Sequence, residues 1–158
     1  MKITVISVGK IKEKFFCDAV SEYKKRLLRF TSLDIVEIKD EKIPENASQK
    51  EIDLILEKEG TQVLEKLPKN SYNIAMCIEG EELSSTEFSK KLDRIKSVNS
   101  NITFIIGGSL GLCQKVKSLS DMSLSFGKIT LPHQLMRVVL LEQIYRAFKI
   151  SSNETYHK

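Results

Sequence analysis

Three stretches of the chain bring chemically capable residues close together. In Ile105-Ile106-Gly107-Gly108-Ser109-Leu110-Gly111, a glycine-rich turn follows directly on an apolar run. Glycines in such a turn let backbone amides approach a ligand and tolerate positive φ. The spacing is neither the dinucleotide fingerprint nor the P-loop, so neither a dinucleotide nor a triphosphate is indicated. Taken alone, a plain tight turn accounts for it as well as a site does. The second stretch runs from Leu124 to Gln134 and contains Phe126-Gly127-Lys128-Ile129-Thr130-Leu131-Pro132-His133. It carries a strand through a short loop into a helix, leaving backbone amides and carbonyls free in a manner suited to reading an adenine edge. His133 falls in the first turn of that helix, where a capping or packing role competes with a functional one. The third is the terminal Thr155-Tyr156-His157-Lys158. An aromatic ring, an imidazole and a cation in succession could stack a base, accept a proton and hold a phosphate, although chain ends are commonly frayed.

Metal and thiol chemistry find less support. Cys17, Cys77 and Cys113 are far apart, odd in number and form no CxxC pair, so they indicate neither a zinc site nor a disulfide framework. Buried or half-buried inert thiols are expected. With His133 and His157 the only histidines, a histidine-based metal site is not expected.

The elements that must position these residues are visible in the hydrophobic pattern. Strand-like runs at 3–8, 33–38, 74–78, 102–106 and 122–126 alternate with helical patterns, which predicts an α/β fold with a mainly parallel sheet and helices flanking it. The third and fourth runs are nearly all apolar, as strands buried on both faces are. Ser48 with Glu51, and Ser84 with Glu87, are spaced as capping boxes that open two helices. Behind the first, Ile52, Ile55, Leu56, Val63 and Leu67 mark one buried face. A helix over 15–29 is expected to bury Phe16, Ala19, Val20, Tyr23 and Leu27. The last helix starts near Pro132, a residue suited to the first helical position. Its apolar residues, Leu135 to Phe148, occupy more than one face, so part of it should pack against a second copy of the chain. The segment 39–49 is the expected mobile loop, and no linker divides residues 1–158 into separate domains.

The longest purely aliphatic run is Val138 to Leu141, far short of the roughly 20 apolar residues that span a bilayer. The first strand is too short to be a signal peptide, so a cytoplasmic protein without membrane contact is expected. A net charge of +4 permits nucleic-acid binding without demonstrating it. The basic clusters at Lys10 to Lys14, Lys24 to Arg29 and Lys90 to Lys96 read first as solvated helix faces.

The order of motifs is more specific than any one of them. Phe104-Ile105-Ile106-Gly107-Gly108-Ser109, Leu124-Ser125-Phe126, Thr130-Leu131-Pro132-His133-Gln134, Leu141-Glu142-Gln143-Ile144-Tyr145-Arg146-Ala147 and Tyr156-His157-Lys158 follow one another, with Val8-Gly9-Lys10 and Lys58-Glu59-Gly60 upstream. In this combination the whole chain resembles the ribosomal large-subunit methyltransferase H family, pseudouridine N3-methyltransferases of the SPOUT superfamily. The resemblance implies an α/β fold whose C-terminal part is threaded into a trefoil knot, and a homodimer with its active site at the subunit interface. It implies S-adenosylmethionine as methyl donor, held at Met76, Gly107 and the run Phe126, Gly127, Lys128, Ile129, Thr130 and Leu131, with no metal. The family often has leucine where Met76 stands, and an aspartate-bearing turn where this chain reads Cys77-Ile78-Glu79-Gly80. The implied acceptor is a pseudouridine of 23S rRNA in the assembled ribosome. His157 would accept its N3 proton or position the base, Tyr156 would shape or stack it, and Arg146 would hold phosphate or the anionic ring. A non-catalytic ribosome-binding factor, a generic nucleotide-binding domain and a transfer-RNA SPOUT enzyme are the competing readings.

Overall fold

Ile3 to Val8 is apolar on both of its faces, and the sheet uses it accordingly. In the computed structural model, which describes residues 1–156, β1 (Lys2–Val8) sends Ile3 and Val5 into one core and Ile6 and Val8 into another. This is the two-residue period of a strand covered on both sides. Its neighbours are β2 (Ser32–Ile38) and β4 (Asn101–Ile106); beyond β4 lie β3 (Tyr72–Glu82) and β5 (Met122–Ser125). The order is β2-β1-β4-β3-β5 and all pairings are parallel.

Among the described residues four helices connect the strands, α1 (Lys14–Leu27), α2 (Gln49–Lys66), α3 (Ser85–Val98) and α4 (Gln114–Ser118), and α5 (His133–Ser151) follows the last strand. Helices α2 and α4 contribute Val63 and Val116 to the core containing Ile6 and Ile105. Helices α1, α3 and α5 cover the opposite face, with Leu27, Leu92, Leu140 and Phe148 packed over Ile3, Ile74 and Phe104. Both expected capping boxes are present, each serine accepting from the backbone N–H of its glutamate while the glutamate accepts from the serine backbone. None of the described helices is long and apolar enough to cross a membrane.

Several details depart from expectation. Helix α4 was not foreseen, since five residues are too few to display a helical period. Pro132 is the residue preceding the first turn of α5, with an extended ψ of 138°, and the helix begins at His133. In α1 only Leu27 is buried; Phe16, Ala19, Val20 and Tyr23 are half-buried, because the helix rests on α5 and the edge strand β2 and its outer side is uncovered. For the same reason Cys17 is exposed, against the expectation of an enclosed thiol, whereas Cys77 and Cys113 are half-buried.

The third strand also runs past its expected end. Met76 pairs with Leu124, and after an excursion through Cys77-Ile78-Glu79-Gly80 the chain returns to pair Glu81 with the same Leu124. Gly80 makes the return possible: a Cβ placed there would stand 2.6 Å from the Leu124 carbonyl carbon. Gly80→Ala must therefore displace backbone, and should cost about 1–3 kcal/mol in chemical denaturation. An unchanged denaturation midpoint would show that β5 is free to move aside.

Candidate functional site

Ligands of open parallel sheets lie beyond the carboxyl ends of the strands, and here three successive loops converge at that edge. They are the excursion 77–80 within β3 and the loops that follow β4 and β5, and they enclose a cleft of about 360 Å³, within the roughly 300–1,000 Å³ typical of small-ligand sites. Met76 of β3, Ile106 at the end of β4 and Leu124 of β5, all buried, form its apolar floor.

The walls are largely main chain. A Cβ on Gly107 would lie 2.3 Å from the Gly111 carbonyl carbon, so the turn after β4 can close only around glycine. Gly111 N–H donates to the Gly108 carbonyl at 3.0 Å, with Gly111 in the left-handed region at φ +81°. The turn after β5 is held by Ser125, whose Oγ donates to the Gly127 carbonyl and accepts from Gly127 N–H, both at 3.1 Å. Gly127, at φ +113°, has open space where a side chain would stand. Beneath the first turn lies the Glu59-Gly60 step of α2. The Glu59 carboxylate accepts from Glu41 N–H at 3.0 Å and is pushed up in pKa mainly by burial. Gly60 lets Cys113 approach, since a Cβ would meet its Sγ at 2.3 Å.

Of the residues marked by resemblance for the donor, Met76, Gly107, Phe126, Gly127, Ile129, Thr130 and Leu131 line this cleft. Lys128 does not; its side chain is exposed on the loop. The cleft also includes Glu79, Ser109, Lys117, His133 and Met136, none of which was assigned there from sequence. His133 had a visible signal in the first turn after Pro132. Lys117 had none, because α4 itself was not legible.

The start of α5 is fixed by a buried charge. Arg137, only 1% exposed, donates through Nη1 to Glu37 Oε1 at 2.6 Å and through Nη2 to the Gly9 carbonyl. Glu37 Oε1 also accepts from Ile11 N–H at 3.0 Å, and Gln134 Oε1 accepts from Lys12 N–H at 2.9 Å. Gly9, at φ +90°, is pressed against His133, whose Nε2 would lie 3.0 Å from a Cβ at that position. Burial first, and the neighbouring Arg137 second, hold His133 below its ordinary pKa of 6.5, so the cleft meets a neutral imidazole at neutral pH.

The residues assigned to the acceptor gather elsewhere. Tyr156 donates its O–H to Glu142 Oε2 at 3.0 Å, Arg146 pairs with Glu142 Oε1 at 2.8 Å, and the guanidinium lies 4.8 Å from the centre of the Tyr156 ring. Burial, then the bond to Glu142, raise the Tyr156 phenol above its ordinary 10.0; the same causes push Tyr23 up to about 12. These phenols are therefore un-ionised at neutral pH and suited to stacking and donation. Neither Arg146 nor Tyr156 lines the cleft. Along α5, Arg146 lies about 15 Å beyond Met136 by helical rise. His157 lies outside the described residues.

Comparison with known proteins adds an independent line. A family model described as "predicted SPOUT methyltransferase" matches residues 1–157. The ribosomal RNA large subunit methyltransferase H 1 of Clostridium perfringens is 55% identical over 159 aligned positions covering all of both chains. The ribosomal RNA large subunit methyltransferase H of Streptococcus uberis is 54% identical with the same complete coverage. Among solved structures, the tRNA (m1G37) methyltransferase of Aquifex aeolicus superposes with a TM-score of 0.52 at 16% identity, over 92% of this chain and 70% of its own. The "putative methyltransferase Lpg2936" of Legionella pneumophila, solved in complex with SAM, gives a TM-score of 0.51 at 11% identity, over 94% of this chain and 66% of its own. At such identities the structural matches speak for the fold.

Two outcomes follow from the Arg137 and His133 environment. Arg137→Met removes the donors of Gly9 and Glu37 and should cost about 1.5–3 kcal/mol by urea denaturation; a neutral result would mean that water replaces the guanidinium without loss. Because His133 binds its proton less readily when folded, its contribution to stability is complete above about pH 6.5 and is lost as the pH falls below that value. His133→Asn should lose less stability than the parent between about pH 7.5 and 5.5; parallel pH dependences would contradict the assignment.

Proposed function

The chain belongs to the SPOUT methyltransferase family, within the large-subunit methyltransferase H group, and we propose that it transfers a methyl group from S-adenosylmethionine to N3 of a pseudouridine in 23S rRNA. The observation that carries this reading is the three-loop cleft. Its glycine walls at Gly107, Gly111 and Gly127 offer unshielded backbone to a nucleoside, and its floor is apolar. These residues fit the donor: Phe126 to Leu131 would hold the adenine, and Met76 and Gly107 would border the ribose. When bound, the donor supplies an electrophilic methyl carbon.

The chain's own tasks are then alignment and control of a proton. The N3–H of pseudouridine is a weak acid and must be released during attack. In this reading His157 takes or orients that proton, Tyr156 stacks the base, and Arg146 exchanges Glu142 for an anionic group of the RNA. Helix α5 separates Arg146 and Tyr156 from the cleft of their own subunit, which supports a homodimer in which each tail completes the partner's site. The half-buried apolar residues Phe16, Val20, Leu135 and Val138 are natural candidates for the covered surface. The trefoil knot of the family belongs to the same reading. The +4 charge gives salt-sensitive attraction rather than sequence reading, so the assembled ribosome is proposed as substrate. Methylation there would place the protein in the cytoplasm.

The test is incubation of the purified protein with radiolabelled S-adenosylmethionine and ribosomes from a strain lacking the native enzyme, followed by mapping of the label. Label at one pseudouridine of the large-subunit RNA is expected, with little on protein-free transcript. His157→Ala should lower transfer about a hundredfold or more while donor binding, followed by calorimetry, is retained. Equal transfer by the variant would remove the role given to His157. Absence of donor binding by the parent protein would favour a non-catalytic ribosome-binding factor.

A further inference from the structure

The cleft lining is electrically neutral with two exceptions. Among the described residues that line it, Glu79 is the only carboxylate and Lys117 the only lysine or arginine, and the two form an ion pair. They come from separate elements, Glu79 from the excursion after Met76 and Lys117 from α4. The lysine is the more enclosed partner, with its side chain 22% exposed against 60% for the glutamate. A hydrogen bond from Lys117 holds the Glu79 carboxyl below the usual carboxylate range, so the glutamate is ionised at neutral pH.

Such a pair adds little to the fold, since partly exposed ion pairs contribute on the order of 0–1 kcal/mol. It is therefore easily exchanged for a ligand carrying complementary charges. The matching group has a cation and an anion a few bonds apart, as the zwitterionic end of an α-amino acid does. An adenosine moiety needs neither charge, and the neutral His133 does not compete for either.

We propose that Glu79 and Lys117 form the receptor for the amino-acid end of the methyl donor, Lys117 holding its α-carboxylate and Glu79 its α-ammonium. The assignment rests on the cleft being the donor site. It gives a function to Glu79, which stands in the turn where this chain departs from the family's usual aspartate, and to a lysine on a helix too short to be seen in sequence.

The experiment is calorimetric titration of the full-length protein with S-adenosylhomocysteine and, separately, with 5′-methylthioadenosine, which keeps the adenosine and thioether but lacks the amino acid. Lys117→Met should weaken S-adenosylhomocysteine binding about tenfold, the scale of one charge-assisted hydrogen bond, and leave methylthioadenosine within about twofold. Lys117→Arg should retain most of the parent affinity, and Glu79→Gln should weaken S-adenosylhomocysteine alone. Thermal melting verifies that each variant is folded. Equal losses for the two compounds would place the pair at the ribose and overturn the proposal, as would no loss for either. Tighter S-adenosylhomocysteine binding by Glu79→Gln would show Glu79 to be a competitor for Lys117 and overturn the paired receptor. If the parent protein binds neither compound, the reading of the cleft as a donor site falls, and this assignment with it.

Discussion

The buried guanidinium of Arg137 is the constraint on which the cleft depends. A charge taken out of water must be met by partners of good geometry, and leaving it unmatched costs several kcal/mol. Here the partners are the Gly9 carbonyl at the end of β1 and the Glu37 carboxylate near the end of β2. Satisfying Arg137 therefore fixes three things together: the turn that leaves the central strand, the edge strand beside it, and the start of α5. His133, one turn before Arg137, and Met136, the residue next to it, are carried to the cleft wall as a consequence. The left-handed Gly9 and the neutral state of His133 belong to the same arrangement, since a side chain on Gly9 would strike the imidazole and a second buried cation would face the first.

The cleft itself is built by a division of labour. Buried strand residues supply an apolar floor, while glycine turns supply walls of exposed main chain. Backbone walls suit a heterocycle edge because their donors and acceptors are held by the fold and lose little freedom on binding. Behind those walls the Ser125 hydroxyl holds the turn after β5 in shape, and the Glu59-Gly60 step packs close to the turn after β4. The charged side chains stand apart from them, with Glu79 and Lys117 paired in the cleft and Glu142, Arg146 and Tyr156 gathered farther along α5.

The composition of α5 is consistent with the composite site proposed above. A helix serving one subunit needs one apolar stripe, yet this one carries Leu135, Val138 and Val139 beside the fully buried Leu140, Leu141 and Ile144. The inner residues fill the core between α1 and α3. The remaining apolar surface and the outward-lying tyrosine and arginine cluster are what a composite site, completed by a second copy, would require.

The sequence by itself determined what is local. The β1, β2, β4 and β5 boundaries lie within one residue of those read from apolar runs, and the capping boxes at Ser48 and Ser84 form as their spacing demands, because each depends on neighbours three positions away. The order of glycine, proline, histidine and tyrosine motifs was enough to identify the family, and seven of the eight positions it implied for a donor line the cleft. Only the tertiary structure decided which distant residues meet. Glu37 and Arg137 are a hundred positions apart, Glu79 and Lys117 thirty-eight, and nothing in their local surroundings marks them as pairs. The excursion that brings Glu79 to the cleft is set by Leu124 pairing twice and by the missing side chain of Gly80. Periodicity reports how each segment meets its own environment; a pairing across the fold depends on the order of strands and the close approach of backbones, which three-dimensional packing alone fixes.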